Sequence, residues 1–108
     1  MYEPKYAKDI RCPLEYGLKG FGGKWKSRII CVLAEKKKLR YSALRRDMAN
    51  ISDAILAATL KELIADQLVA REQFNEIPPR VEYRLTEKGE SVVPILQSIC
   101  RWAGLYER

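Results

Sequence analysis

The chain has 108 residues, 47% of them apolar and 31% charged, with a formal net charge of +6. That length suits one domain, residues 1–108, around one core, and the charge density suits a water-facing surface. No apolar run approaches the ~20 residues of a spanning helix, and "MYEPKYAKDI" lacks the apolar centre of a signal peptide. A cytoplasmic protein with no membrane partner is therefore expected.

There is no histidine, and the three cysteines, Cys12, Cys31 and Cys100, form no CxxC pair. The usual zinc arrangements have no ligands, and the commonest general base is missing. Nothing resembles a catalytic set, so neither enzyme activity nor a metal or cofactor is expected. The charge is uneven. Residues 1–50 carry 13 Lys and Arg against 5 Asp and Glu, and residues 51–108 carry 7 against 9. A basic half suits a polyanion, nucleic acid first, and equally suits a solvated surface.

Taken in chain order, Pro13 fits the first turn of a short helix running to about Leu18. Gly22 and Gly23 break the chain before a second helix, Lys24 to about Glu35. Its Trp25, Ile29, Val32 and Leu33 share one face. "LRY" at 39–41 is long enough only for a bridging strand. Ser42 is expected to cap a third helix, 42–48, with Leu44 and Met48 inward. After "ANI", Ser52 is expected to cap a fourth helix to about Gln67. Its buried stripe is Ile55/Leu56, Leu60, Leu63 and Ile64.

"VAREQF", a turn at Asn75 to Pro79 and "RVEYRL" then read as a hairpin. Val81, Tyr83 and Leu85 alternate inward, and the prolines fall in the loop, where no ladder bond is needed. Thr86 caps a last helix, Glu87 to Tyr106, which Pro94 should bend. Val92, Leu96, Ile99, Ala103 and Tyr106 recur at steps of four and three, and Ile95 and Trp102 widen the stripe. A stripe this long exceeds what one small core can cover, which points to a homodimer.

The predicted fold is α+β, mostly α: a winged helix-turn-helix with N- and C-terminal dimerisation helices. Helix 42–48 is the support, helix 52–67 the reader and the hairpin at about 69–85 the wing. In such modules the reader lies in the major groove of double-stranded DNA, and a dimer sets two readers roughly 34–36 Å apart on a pseudo-palindromic operator. Arg45 and Arg46 beside the reader, Lys24 and Lys26 at a helix start, Lys36 to Lys38, and Arg80 at the wing tip are candidate phosphate contacts. The reader's own candidates are Ser52, Asp53, Ala54, Ala57, Ala58 and Lys61. Alanine cannot make bidentate hydrogen bonds to base edges. It does contact thymine methyls and permits close approach, so DNA shape, Ser52, Lys61 and the wing are expected to carry more of the specificity.

"CPLEYGL", "GGKWKSRII", "LRYSALRR", "ISDAILAATLKEL" and "PPRVEYRLTEKGESVVPIL" resemble, in order, motifs of the HxlR-type transcriptional regulators, from about Cys12 to Trp102. That family is similar to the MarR group of small dimeric winged-helix proteins. The resemblance implies repressor or activator activity at promoters. It also implies dimerisation through the terminal helices, here Leu14, Val92, Leu96, Ile99, Trp102 and Tyr106. Many family members sense oxidants or electrophiles through a cysteine placed like Cys12. The alanine-rich reader departs from the family's usual polar or basic face.

Cys12 has its own physical argument. A thiol at a helix N-terminus, next to Arg11, is favoured as the reactive thiolate, and packing is the plainer use of the same residue. Cys31, between Ile30 and Val32, is expected in the core, and Cys100 is a candidate partner for Cys12 of the opposite chain. Two other readings stay open. One is a small effector held between the dimerisation helices and the winged core by Trp25, Trp102, Tyr16 and Phe21. The other is a winged helix that binds protein instead of DNA.

Overall fold

A computed structural model describes residues 13–106. The elements are α1 (Pro13–Phe21), α2 (Lys24–Lys36), β1 (Lys38–Leu39), α3 (Tyr41–Met48), α4 (Asp53–Ala65), β2 (Val69–Phe74), β3 (Arg80–Leu85) and α5 (Glu87–Tyr106). The strands form one antiparallel sheet in the order β1-β3-β2. Val69 pairs with Leu85 and Phe74 with Arg80 across the hairpin, and Lys38 and Leu39 add a short edge against Arg84 and Tyr83.

One apolar core joins the elements, with Phe21 of α1 and Leu39 of β1 packed half-buried against it. Ile29, Ile30 and Leu33 of α2 meet Leu44 and Met48 of α3. Leu56, Leu60 and Leu63 of α4, Tyr83 and Leu85 of β3, and Val92 and Leu96 of α5 complete it. Trp25 and Val32 pack on it half-buried, as the spacing of the second helix requires. Arg28 of α2 donates to the Met48 carbonyl at 3.2 Å, answering one of the carbonyls that α3 leaves unbonded at its C-terminus.

The helix boundaries depend on local bonds that residue type only partly reveals. α1 runs three residues past Leu18, and the Gly22 N–H closes on the Leu18 carbonyl at 2.6 Å. Gly23 at φ +86° turns the chain into α2, a conformation that suits glycine. α3 begins at Tyr41, with Arg40 at the N-cap and no side-chain cap bond, so Ser42 is inside the first turn and does not cap. The Arg40 carbonyl already accepts the Leu44 N–H at 2.9 Å, and β1 is accordingly shortened to two residues. α4 ends two residues before Gln67. Gln67 takes φ 63°, its N–H bonds the Ile64 carbonyl, and the Leu68 N–H bonds the Leu63 carbonyl, each at 2.9 Å. This is a Schellman stop formed without glycine.

The start of α5 is fixed to that stop. Thr86 donates its backbone N–H to the Leu68 carbonyl at 3.1 Å and its hydroxyl to the Gln67 carbonyl at 2.6 Å. The same hydroxyl oxygen accepts the Gly89 N–H at 3.0 Å, capping the helix. Lys88 Nζ donates to the Asp66 carbonyl at 2.9 Å. Gly89 is buried directly against the Leu68 carbonyl, where a Cβ would strike backbone. α5 then runs through Pro94 as one continuous helix.

Candidate nucleic-acid interface

α3 and α4 meet at a turn in which Ala49 and Asn50 both have positive φ and Ile51 is buried. At the start of α4, Ser52 Oγ accepts the Ile55 N–H at 3.1 Å. Asp53, in the first turn, suits the positive end of the helix dipole. It pairs with Arg45 of α3 at 2.9 Å and accepts from the Tyr41 hydroxyl at 3.3 Å, while the Asp53 carbonyl accepts from the same hydroxyl at 3.2 Å. Burial first, and the Asp53 carboxylate after it, push the Tyr41 phenol above its ordinary value, so it stays an O–H donor at neutral pH. Tyr41, Arg45 and Asp53 thus fasten the support helix to the first turn of α4.

α4 buries Leu56, Leu60 and Leu63 together with Thr59, whose hydroxyl donates back to the Ile55 carbonyl at 2.7 Å. The opposite face exposes Ala54, Ala57, Ala58 and Lys61. Ile55, expected in the buried stripe, is 44% exposed, because a step of about 100° from Leu56 carries it towards solvent. The outward face of α4 is therefore a row of methyl groups with one isobutyl-sized side chain and one amine.

The cations divide into two groups. Arg46 is exposed on α3 and Lys61 on α4, and neither has an ion-pair partner among the described residues. Lys24 is exposed and lies over the Trp25 ring at 4.6 Å. Lys36 and Lys37 are exposed at the end of α2, and Lys38 approaches Glu82 at 3.8 Å. Lys26, expected to face phosphate, is instead paired with Glu62 at 3.1 Å and donates to the Lys19 carbonyl at 3.1 Å, with its side chain only 17% exposed. It bridges α1, α2 and α4.

Arg80 also differs from expectation. It is the first residue of β3, not the wing tip, and it stacks on Phe74 at 4.0 Å. Its guanidinium bonds Glu76 at 2.8 Å and Glu82 at 3.0 Å. Two carboxylates neutralise this arginine and hold the wing together. The tip itself is Asn75 to Pro79, with Ile77 fully exposed.

Of the residues expected at a dimer contact, Val92 and Leu96 are buried in this chain's own core. They lie on the face of α5 that packs against α2 and β3, and the outward line of α5 is Ile95, Ile99, Trp102 and Tyr106. Leu14, Ile99, Trp102 and Tyr106 are exposed at 68%, 47%, 65% and 72%. Leu105 and Leu18, which sequence reading passed over, extend that apolar surface. Leu105 was legible as one helical turn beyond Trp102. Cys12 lies outside the described residues. Cys31 and Cys100 are free and exposed, so Cys31 is a surface residue of α2, not a core one. Although the residue is exposed, partial desolvation of its thiol, and after that the charge of Cys100, raise the Cys31 pKa.

A cleft of about 580 Å³ opens between α1, the end of α4 and the start of α5. Tyr16, Phe21, Lys26, Glu62 and Lys88 line it, whereas Trp25 and Trp102 do not. Among the described residues no group of three His, Cys, Asp or Glu side chains could hold a metal ion, and no helix is long and apolar enough to cross a membrane.

The HxlR-like helix-turn-helix family matches residues 21–108. An HTH-type transcriptional regulator of Methanothermobacter thermautotrophicus is 46% identical over 95 residues, covering 88% of this chain and 72% of its own. The redox regulator HypR in its oxidized form superposes with a TM-score of 0.81 at 38% identity, over 90% of this chain and 98% of its own. The reduced form of the transcriptional regulator YodB from B. subtilis gives 0.78 at 34% identity, over 87% and 92%. With its hairpin wing and its capped α4 presented outward, the chain belongs to the HxlR-like helix-turn-helix family of DNA-binding transcriptional regulators.

Proposed function

We propose that the protein is a homodimeric cytoplasmic regulator that sets α4 into the major groove at each half of a pseudo-palindromic operator. The observation that carries this reading is the outward face of α4, where Ala54, Ala57 and Ala58 allow the helix backbone close to base edges. Ile55 and the alanines supply contacts to thymine methyls. Lys61, Arg46 and Lys24 supply phosphate contacts. Ser52 and Asp53 act within the protein: one caps α4 and the other holds Arg45. The exposed apolar line of α5 with Leu14 and Leu18 of α1 is the dimer contact.

Cys12, beside Arg11, is the thiol that switches the dimer. Its oxidation or alkylation shifts the terminal helices and with them the spacing of the two α4 helices. The redox character named for HypR supports this reading. Fluorescence anisotropy on duplex DNA from the protein's own upstream region tests it, with reduced protein, oxidant-treated protein and Cys12→Ser. Binding lost on oxidation and kept by Cys12→Ser is expected. Equal loss in both forms would remove Cys12 as the switch.

The cleft beside α1 favours a second reading, a small effector held by Tyr16, Phe21 and the surrounding lysines. An aromatic anion such as anilinonaphthalene sulfonate should bind there and be excluded by Gly20→Trp. Binding unaffected by that substitution would count against the cleft.

A further inference from the structure

α1 carries Leu14 and Leu18 of the exposed apolar surface, yet it has no buried residue. Phe21 packs half-buried at its end, and Gly22 and Gly23 then turn the chain into α2. A cleft lies between the rest of α1 and α4, lined by Tyr16, Gly17 and Gly20 from α1 and by Glu62 and Ala65 from α4. Lys26 of α2 spans it. Its ammonium donates to the Lys19 carbonyl of α1 at 3.1 Å and meets the Glu62 carboxylate of α4 at 3.1 Å. Lys19 is in the last turn of α1, where carbonyls lack helical partners and the dipole is negative, so a cation suits it. The Lys26 side chain is 17% exposed and that of Glu62 62%, so the lysine is enclosed and the glutamate reaches it from the surface. An ion pair with one partner so exposed adds little stability. What it supplies is geometry: one ammonium, with three N–H donors, bonds two different helices at once.

We propose that Lys26 is a positioning residue that fixes the angle between α1 and α4, and so sets the spacing of the two α4 helices in the dimer. It rests on the dimer contact made by α5 and α1. Val92 and Leu96 seat α5 in the core, so packing fixes its place relative to α4. α1 has no such seat. With Lys26 bonded to both helices, a displacement of α1 at the dimer contact is passed to the Glu62 end of α4. α4 is a continuous helix of 13 residues, so a tilt at Glu62 also moves Ala54, Ala57 and Ala58. Without the link α1 and α4 move independently, and the spacing is no longer held. Lys26 acts through α4 and touches no phosphate.

Double electron–electron resonance reads that spacing directly. Full-length chains carry Cys12→Ser, Cys31→Ser and Cys100→Ser, with a nitroxide on Ala57→Cys at the exposed face of α4. The measurement needs no DNA, so it stands apart from whether α4 enters a groove. The parent dimer should give one narrow distance. Glu62→Ala cuts the α4 end of the link at an exposed side chain. The exchange of Lys26→Glu with Glu62→Lys keeps an ion pair but leaves no donor for the Lys19 carbonyl. Both variants should lose the narrow peak and show a broad one, with Tm close to the parent's. A pair that served stability alone would be restored by the exchange. A peak as narrow as the parent's, in the same place, in either variant would overturn the proposal and leave the dimer intact. No intermolecular distance in the parent would overturn it together with the dimer contact.

Discussion

Replacing Gly89 with alanine sets two effects of opposite sign against each other. In an open helix position the change gains about 1 kcal/mol, because alanine is the better helix former. At Gly89 the new Cβ would meet the Leu68 carbonyl carbon and oxygen, with Leu85 Cδ2 at 3.2 Å behind them. The backbone atoms cannot step aside. The Leu68 carbonyl accepts the Thr86 N–H, and Thr86 and Lys88 tie the same turn at Gln67 and Asp66. With backbone atoms in the way, overpacking falls in the upper part of its range, about 2–3 kcal/mol, and leaves a net loss of roughly 1–2 kcal/mol. For a domain near this size that lowers Tm by roughly 5–15 °C. Thermal unfolding by circular dichroism at one fixed protein concentration measures it, since a dimer's Tm moves with concentration. Gly20→Ala is the control: nothing lies within 4 Å of its Cβ position in α1, so it should be neutral or stabilising. Gly89→Ala as stable as the parent would refute the packing between α5 and the α4–β2 turn.

Four further outcomes follow from the same geometry. Ser52→Ala removes the bond to the Ile55 N–H and should cost about 1 kcal/mol in urea unfolding, with Ser52→Asp restoring most of it. Asp53→Asn removes a negative charge near the DNA-facing surface and releases Arg45, so duplex affinity should rise at low salt; a fall would mean that the Arg45–Asp53 pair is needed to place α4. Trp102→Asp puts a charge in the apolar face of α5 and should shift the protein to monomer in sedimentation velocity while its helical content is kept. Since the folded protein raises the Cys31 pKa, its thiol carries less thiolate near neutral pH than the same cysteine in the unfolded chain. Its alkylation rate should therefore keep rising after the unfolded chain has levelled off, and Cys100→Ser should move the profile part of the way back.

The periodic positions were the readable part of this sequence. Trp25, Ile29, Val32 and Leu33 share a face because α-helical spacing requires it, and Tyr83 and Leu85 turn inward because strand residues alternate. The Ser52 and Thr86 caps were legible because a hydroxyl before an apolar run has little other use. What stayed hidden depended on contacts distant in sequence. Nothing local says that Lys26 meets Glu62 across two helices, or that Glu76 and Glu82 both claim Arg80. The apolar stripe of α5 was visible, but its division into Val92 and Leu96 inward and Ile95, Ile99 and Trp102 outward was not, since both lines have helical spacing. Cys31 read as core from its apolar neighbours in sequence. In the folded helix Ile30 turns into the core, and Cys31, one step of about 100° further on, is exposed.

The central claim is that the methyl-lined face of α4 enters the major groove. The most direct measurement is anisotropy of the reduced protein and of Ala58→Asp on duplex DNA from the upstream region, titrated with salt. The parent should bind, with the logarithm of its affinity falling linearly as the logarithm of salt rises. Ala58→Asp should lose binding at every salt concentration while keeping the parent's Tm, because the substitution is on an exposed face. Unchanged binding by Ala58→Asp would contradict insertion of α4, and no binding by the parent at low salt would contradict DNA recognition by this face altogether.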